Sequence, residues 1–542
     1  VIGVVSKPDE AAVVAEFFEL FKTPWEPFRA GAAYEAVLNT TGQAVDSTTR
    51  VQLLYSSAQS SGATHGGSAI VWRQHECPLY GSFQPIDSGQ ALLRTTRGEF
   101  AAVEVEASGR RIVKVGYDLF AEVEHLLTTG QPVEHAQHPT LELHIAILRE
   151  LIVKSGVTLV EIPPTPAGVD YTVCLTHDID FVGIRRHLFD HTMGGFLLRA
   201  TVGSTMNLLR GKTSFARFAA SWAAALKLPF VYLGLAKDFW EPFEWYLKVE
   251  KGLSPTYYLI PFKHRAGDKL TRPDASRRAS GYGVADIPES VTRLLQEGCE
   301  VGVHGIDAWH SVEKGREEFS AVADVAGRKE MGIRMHWLAW GEESYRVLEQ
   351  AGYSYDSTSG YNEAPGYRNG ATQVFKPLPA RSLMELPMHV QDGALFFPGR
   401  LGLSEAAAWE KCELLMNNAR QFGGVLTIIW HDRSHGPERF WGDFYVRFVD
   451  ALKAQSVRFS TAAQSVAWFR ARRSVTFKRV TDAAPRVALS AGGQSVNPPL
   501  RVRIHSGAGF FDSTWNGASE FVAPVAADAK SPSSERAVPV AA

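Results

Sequence analysis

Six short stretches put a carboxylate, an imidazole or a guanidinium after a strand-like apolar run. Tyr171–Leu175 leads into Thr176-His177-Asp178-Ile179-Asp180, and Cys299–Val303 into His304-Gly305-Ile306-Asp307-Ala308-Trp309-His310. Met331–Ile333 leads into Arg334-Met335-His336-Trp337, Tyr353–Tyr355 into Asp356, Met384–Met388 towards Asp392, and Val425–Ile429 into Trp430-His431-Asp432. In a continuing strand, residues i and i+2 point to one side, so Asp178 and Asp180 can face one pocket. Two carboxylates that close repel unless a cation or a proton lies between them, so one can ligate a metal while the other serves as base. His304 and His310 are the candidate nitrogen ligands. Six residues apart they would lie on different faces of a helix, so they must come from a strand end and its loop, where Gly305 permits a turn. Asp307, His336 and His177 are alternatives to His310. One carboxylate with two imidazoles leaves positions open on a divalent ion such as zinc, whose bound water is a nucleophile near neutral pH. His431, from a later strand, can supply the proton that a leaving group needs.

Polar groups at the C-terminal ends of successive strands are what a β/α barrel site requires, and 166–475 alternates strands with amphipathic helices. Residues 1–165 predict a smaller α/β domain. Its elements include Ile2–Val5, a helix from Pro8 to Lys22, strands at Val51–Tyr55 and Ala69–Trp72, and a hairpin of Phe100–Glu106 and Arg110–Gly116 around Ser108–Gly109. Asp118 is expected to cap a helix to Leu127, and Thr140 to open another to Lys154. Pro163-Pro164-Thr165-Pro166 predicts a stiff linker. Residues 476–542 hold two short strands, Arg486–Ser490 and Leu500–His505, and a tail, Ala523 to Ala542, whose composition predicts disorder.

Composition removes several classes. Lys plus Arg is 56 and Asp plus Glu is 58 in 542 residues, a net charge of −2 with no overall field for nucleic acid or an anionic membrane. Four scattered cysteines (Cys77, Cys174, Cys299, Cys412) make neither a disulfide framework nor a C-x-x-C metal site. The most apolar region, Phe196 to Trp240, is broken by Arg199, Arg210, Lys212, Arg217, Lys227 and Lys237, so no membrane span is expected. Val1–Val5 does not read as a signal peptide, and a cytoplasmic location is the expectation.

The ordered motifs resemble the NodB-type polysaccharide deacetylases of carbohydrate esterase family four, in the branch whose first motif is THD-x-D rather than TFDDG. Ser254–Phe262, Gly352–Thr358 and Glu385–Phe397 are similar to that branch as well. The resemblance covers about Tyr171 to Arg473 and implies a distorted, metal-dependent (β/α) barrel. It implies Asp178 as catalytic base, Asp180 and His304 as metal ligands, Arg334 as the arginine orienting the base, and His431 as catalytic acid. Asp356, or else Asp392, would support His431. The sequence departs from the family at Ile179, at Ala308 where the second histidine of H-x-x-x-H would stand, and at His336 where R-x-P-W has proline. His310 is therefore expected to complete the metal site. The implied reaction is hydrolysis of an N-acetyl group on a glycan. A cyclic or other small amide, as in allantoinase-like relatives, and an inactive carbohydrate-binding barrel are the alternatives.

Overall fold

The computed structural model describes all residues except 43–44, 46–48, 57–63, 66, 108, 269–274, 481–485 and 524–542. The central region is built on one sheet. From edge to edge its strands are Met384–Glu385, Tyr355–Asp356, Gly332–Met335, Glu300–Gly305, Thr256–Leu259, Tyr171–Ile179, Val425–Ile429 and Val390–Gln391, with Val457–Phe459 also pairing Tyr171–Ile179. Every pairing is parallel. Parallel neighbours need crossovers, supplied by helices such as Pro288–Gln296, Val312–Ala326 and Glu405–Phe422. Helices on the outside leave the strands buried on both faces, which is why Tyr171–Ile179 is buried at all nine positions. Among the described residues the two edge strands do not pair, so the sheet is a curled half-barrel with a seam. Strand order alone sets Asp178 and Asp180 mid-rim, with the His431 strand on one side and the His304 strand two places away on the other.

Gly305 has a different reason from the expected turn. It is still in the strand and its φ is not positive; a Cβ there would come within 2.6 Å of Met335 Sδ and 2.7 Å of Ile333 Cδ1. The glycine lets two rim strands approach closely.

Residues Ile2–Val5, Trp25–Pro27, Ala36–Asn39 and Val51–Tyr55 form the parallel half of a second nine-stranded sheet, continued antiparallel by Phe100–Ala107 and its neighbours. Phe100–Ala107 and Arg110–Val115 pair as the expected hairpin; Ser108 at its tip lies outside the described residues. Asp118 caps Leu119–Thr128 by accepting from the Phe120 and Ala121 amides, and the next helix is Thr140–Lys154. The segment Pro163–Pro166, expected as a linker, is instead buried. Arg472 donates to the carbonyls of Ile162 and Pro163, and the Gly424 amide to that of Pro164. The preceding strand, Leu159–Glu161, pairs antiparallel with Leu500–Ser506, so chain from beyond the barrel closes over its entry. The N-terminal layer is also bonded to the barrel: buried Glu142, on the helix Thr140–Lys154, accepts from Thr372 N and Oγ1 and from Gln373 Nε2. Strands Arg486–Ser490 and Leu500–Ser506 are present, whereas the tail beyond 523 lies outside the described residues.

Candidate active site

Asp180 leaves the end of its strand and meets two imidazoles. His304 Nε2 and His336 Nε2 both lie 3.3 Å from Asp180 Oδ1. His304 Nδ1 is 3.0 Å from the Arg334 carbonyl. A carbonyl only accepts, so Nδ1 donates, and Nε2 is the ring nitrogen turned towards Asp180. Asp180 Oδ1 and His336 Nδ1 are buried without a hydrogen-bond partner. Burial holds His336 well below the usual imidazole range, keeping the ring neutral although Asp180 pulls the other way. Burial would raise Asp180, yet the electrostatic pull of the His336 side and hydrogen bonding to His304 hold the carboxyl well below its ordinary range. A buried carboxylate held ionised beside a His336 ring that burial keeps neutral suits a divalent cation. The donor set of one carboxylate and two imidazole nitrogens, with ligand atoms all within 4.8 Å of one another, fits such an ion.

Asp178 stands beside this group, its Oδ2 3.9 Å from His304 Nε2. Its Oδ1 accepts from Arg334 Nη1 at 2.9 Å. Arg334 is wholly buried and fully committed: Nη1 also donates to Thr176 Oγ1, Nε to the Ser357 carbonyl and Nη2 to Ser357 Oγ, with the Tyr258 ring 4.4 Å from the guanidinium. Burial would lower its pKa, but Asp178 more than offsets this.

On the other flank His431 is held by Asp392, which takes both the His431 amide, at 3.0 Å, and Nδ1. Ser434 Oγ also donates to this carboxylate. Burial would lower the His431 pKa, but Asp392 above all, then Asp180 and Asp178, raise it to about 10. Asp392 is kept low, against burial, by the same contact. Asp356 is not the partner of His431. Its Oδ1 accepts from the Thr358 amide and hydroxyl, and burial raises its pKa to about 6.

His310 lies outside the group. Its Nε2 is 2.9 Å from Asp268 and 3.3 Å from Asp307, and His336 rather than His310 stands with Asp180 and His304. Its amide bonds back to the Asp307 carbonyl, and Ser311 immediately caps the helix Val312–Ala326, so the chain turns away from the rim. His177 faces the core, with Nδ1 on the Trp430 carbonyl and Nε2 on Glu250, each at 2.8 Å.

Three supporting groups were not foreseen. Arg278, buried, donates to the carbonyls of His336, Gly305, Ile306 and Ala266 and so ties the two histidine-bearing loops together. Asp432 Oδ1 accepts from the Asp180 amide at 3.3 Å, and burial raises its pKa to about 7 despite Arg433. Trp337 and Leu338 both have left-handed φ, 64° and 52°, which costs about 1–3 kcal/mol each and turns the chain sharply after His336. Arg278 ends the four-residue 3₁₀ helix Ala275–Arg278, too short for periodicity to mark a residue as inward-facing.

No family model matches the sequence, and no curated protein matches it. Among solved structures the chain is similar to a Mycobacterium smegmatis protein assigned as a polysaccharide deacetylase, at 18% identity over 58% of this chain and 96% of that one, with a TM-score of 0.35. It is also similar to PuuE allantoinase, at 12% identity over 56% and 92% with a TM-score of 0.34. A Pseudomonas aeruginosa PAO1 protein, likewise assigned as a polysaccharide deacetylase, is similar at 13% identity over 57% and 94% with a TM-score of 0.33.

Proposed function

We propose that the chain is a metal-dependent hydrolase that removes N-acetyl groups from a glycan, following the THD-x-D branch that its motifs resemble. The observation that carries this reading is the placement of a cation-fitting donor set between an arginine-held carboxylate and a carboxylate-held imidazole. Asp180, His304 and His336 would hold the ion; zinc suits two imidazoles and one carboxylate. When bound, such an ion supplies Lewis-acid polarisation of an acyl oxygen and of water.

Asp178 accepts the proton of the attacking water. Arg334 occupies its Oδ1 and fixes the carboxylate, leaving Oδ2 on the His304 side for the proton. The water oxygen bonds to the acyl carbon and the C–N bond breaks. His431, whose Nδ1 side is taken by Asp392, donates its proton from Nε2 to the departing nitrogen. The products are acetate and a free amine, and the proton on Asp178 restores His431 through solvent. Raising the His431 pKa to about 10 keeps this acid charged at neutral pH.

The test is acetate release from N-acetylated glycans by the zinc-loaded full chain, with cyclic amides in the same panel. Release that stops in the Asp178→Asn variant supports the proposal. Turnover of cyclic amides alone moves the assignment to the allantoinase-like reaction. Stoichiometric zinc without turnover of either class contradicts it.

A further inference from the structure

Between the strands Tyr171–Ile179 and Thr256–Leu259 the chain inserts a helical hairpin. His191–Leu198, Arg199–Gly203 and Ser204–Leu209 form its outgoing arm, and Phe215–Tyr232 its return. The arms pack on one another through Phe196, Ala200, Ala224, Leu228 and Val231. The base is fastened beside the candidate site: Ser221 Oγ donates to the Pro437 carbonyl at 2.9 Å, and the Arg433 guanidinium lies 3.8 Å from the Phe181 ring and 4.9 Å from that of Trp240.

The outward faces are apolar. Leu198, Val202, Met206 and Leu209 are 61, 57, 41 and 78% exposed, and Trp222, Leu226, Phe230 and Leu233 are 38, 70, 54 and 71% exposed. Each set follows i, i+4, i+8, i+11, a single stripe on a helix. Trp222 Nε1 donates to Thr205 Oγ1 at 3.2 Å, so the stripes meet across the seam. At the hairpin's base Tyr232 donates to the His187 carbonyl at 2.9 Å, beside Leu188 and Phe189, which are 55 and 85% exposed. A contiguous apolar surface of this kind marks an interaction site.

Charge decides what covers it. Residues 191–237 contain Arg199, Arg210, Lys212, Arg217, Lys227 and Lys237 and not one Asp or Glu, in a chain holding 58 acids. Arg199, Arg217 and Lys237 meet acids from outside the hairpin (Glu438, Glu405 with Asp443, and Glu244), so Arg210, Lys212 and Lys227 make up the local excess that the whole-chain balance of −2 conceals. A second copy docking face to face would set these cations against themselves. Among the described residues no helix is long and apolar enough to cross a membrane. Apolar stripes on helices too short to span, with Arg210 and Lys212 at the hairpin's tip and no acid within the hairpin itself, are what an in-plane interfacial anchor requires. A groove of about 880 Å³ lined by Phe230, Leu235, Phe239 and Phe440, with Lys227, Lys237 and Asp238 at its polar side, adds room for an acyl chain.

We infer that this hairpin seats the protein on the anionic surface of a lipid bilayer, with the candidate site beside the contact. The inference does not depend on the proposed reaction.

The test is co-sedimentation of the full chain with sucrose-loaded vesicles of phosphatidylglycerol and phosphatidylethanolamine, and with pure phosphatidylcholine vesicles. The parent is expected to sediment with the first, at least tenfold less with the second, and less at high salt. Leu226→Glu/Phe230→Glu is expected to lower partition at least tenfold, and Arg210→Glu/Lys212→Glu to remove the preference for anionic vesicles. Both pairs are exposed, and circular dichroism checks that each variant folds. A parent that stays in the supernatant with both vesicles, or a folded Leu226→Glu/Phe230→Glu variant that sediments like the parent, overturns the inference. So does a parent dimer that the same variant dissolves while vesicle binding stays absent, which would make the face an interface between copies.

Discussion

The molecule holds two clusters built from the same residue types, and only one is shaped for a cation. Asp180, His304 and His336 gather at the centre of the rim; Asp268, Asp307 and His310 gather beyond it, and both sets bring ligand atoms within 4.8 Å. In the second, Lys314 sits on both carboxylates, 3.2 Å from Asp307, and Asp268 is 55% exposed. The lysine supplies the positive charge. In the first, the side chains are 2–19% exposed and lone pairs face one another without an ammonium between them. Ligand types at short range do not make a metal site; buried demand for positive charge does.

If that contrast is sound, perturbing the rim cluster should cost far more than perturbing the outer one. Asp178→Asn should lower turnover about 10²–10⁴-fold, the usual cost of losing a general base, while zinc affinity measured by titration changes little. Arg334→Met leaves a buried carboxylate unpaired and should cost about 3–5 kcal/mol in denaturant unfolding. Removal of the outer cluster's cation, Lys314→Met, should cost about 1 kcal/mol or less in the same experiment, because exposed pairs contribute little. A loss at Lys314 equal to that at Arg334 would erase the distinction.

A smaller effect concerns pH. His431 has a folded-state pKa raised to about 10, against about 6.5 for an unperturbed imidazole. The stability this contributes is full below about pH 6.5 and is lost as pH rises towards 10. Asp392→Asn removes the main cause, so the alkaline limb of the rate profile should move to lower pH and the stability difference from the parent should shrink as pH rises. An unmoved limb would mean that another group sets it.

What could be read from the sequence follows from how each residue is placed. Asp178, Asp180, His304, Arg334 and His431 sit at or next to strand ends, where pleat and strand order leave little freedom, and the structure brings them together. Loops carry no such periodicity. His310 and His336 were both visible as imidazoles, but the Ser311 cap and the left-handed turn at Trp337 and Leu338 decided which faces the rim. Asp356 and Asp392 differ in the same way: a Thr two residues on captures the first, whereas the second is bonded by the amide and ring of His431. The buried segment Pro163–Pro166 looked like a tether because its burial depends on Arg472, more than 300 residues away.

The most direct test is zinc titration of the metal-stripped full chain beside its His336→Ala and His310→Ala variants. One equivalent bound by the parent and by His310→Ala, with affinity weakened more than about 100-fold in His336→Ala, is the result the rim cluster requires, since even residues behind the ligands are worth 10–100-fold. Parent-like binding by His336→Ala together with loss in His310→Ala would place the cation in the outer cluster and contradict the account.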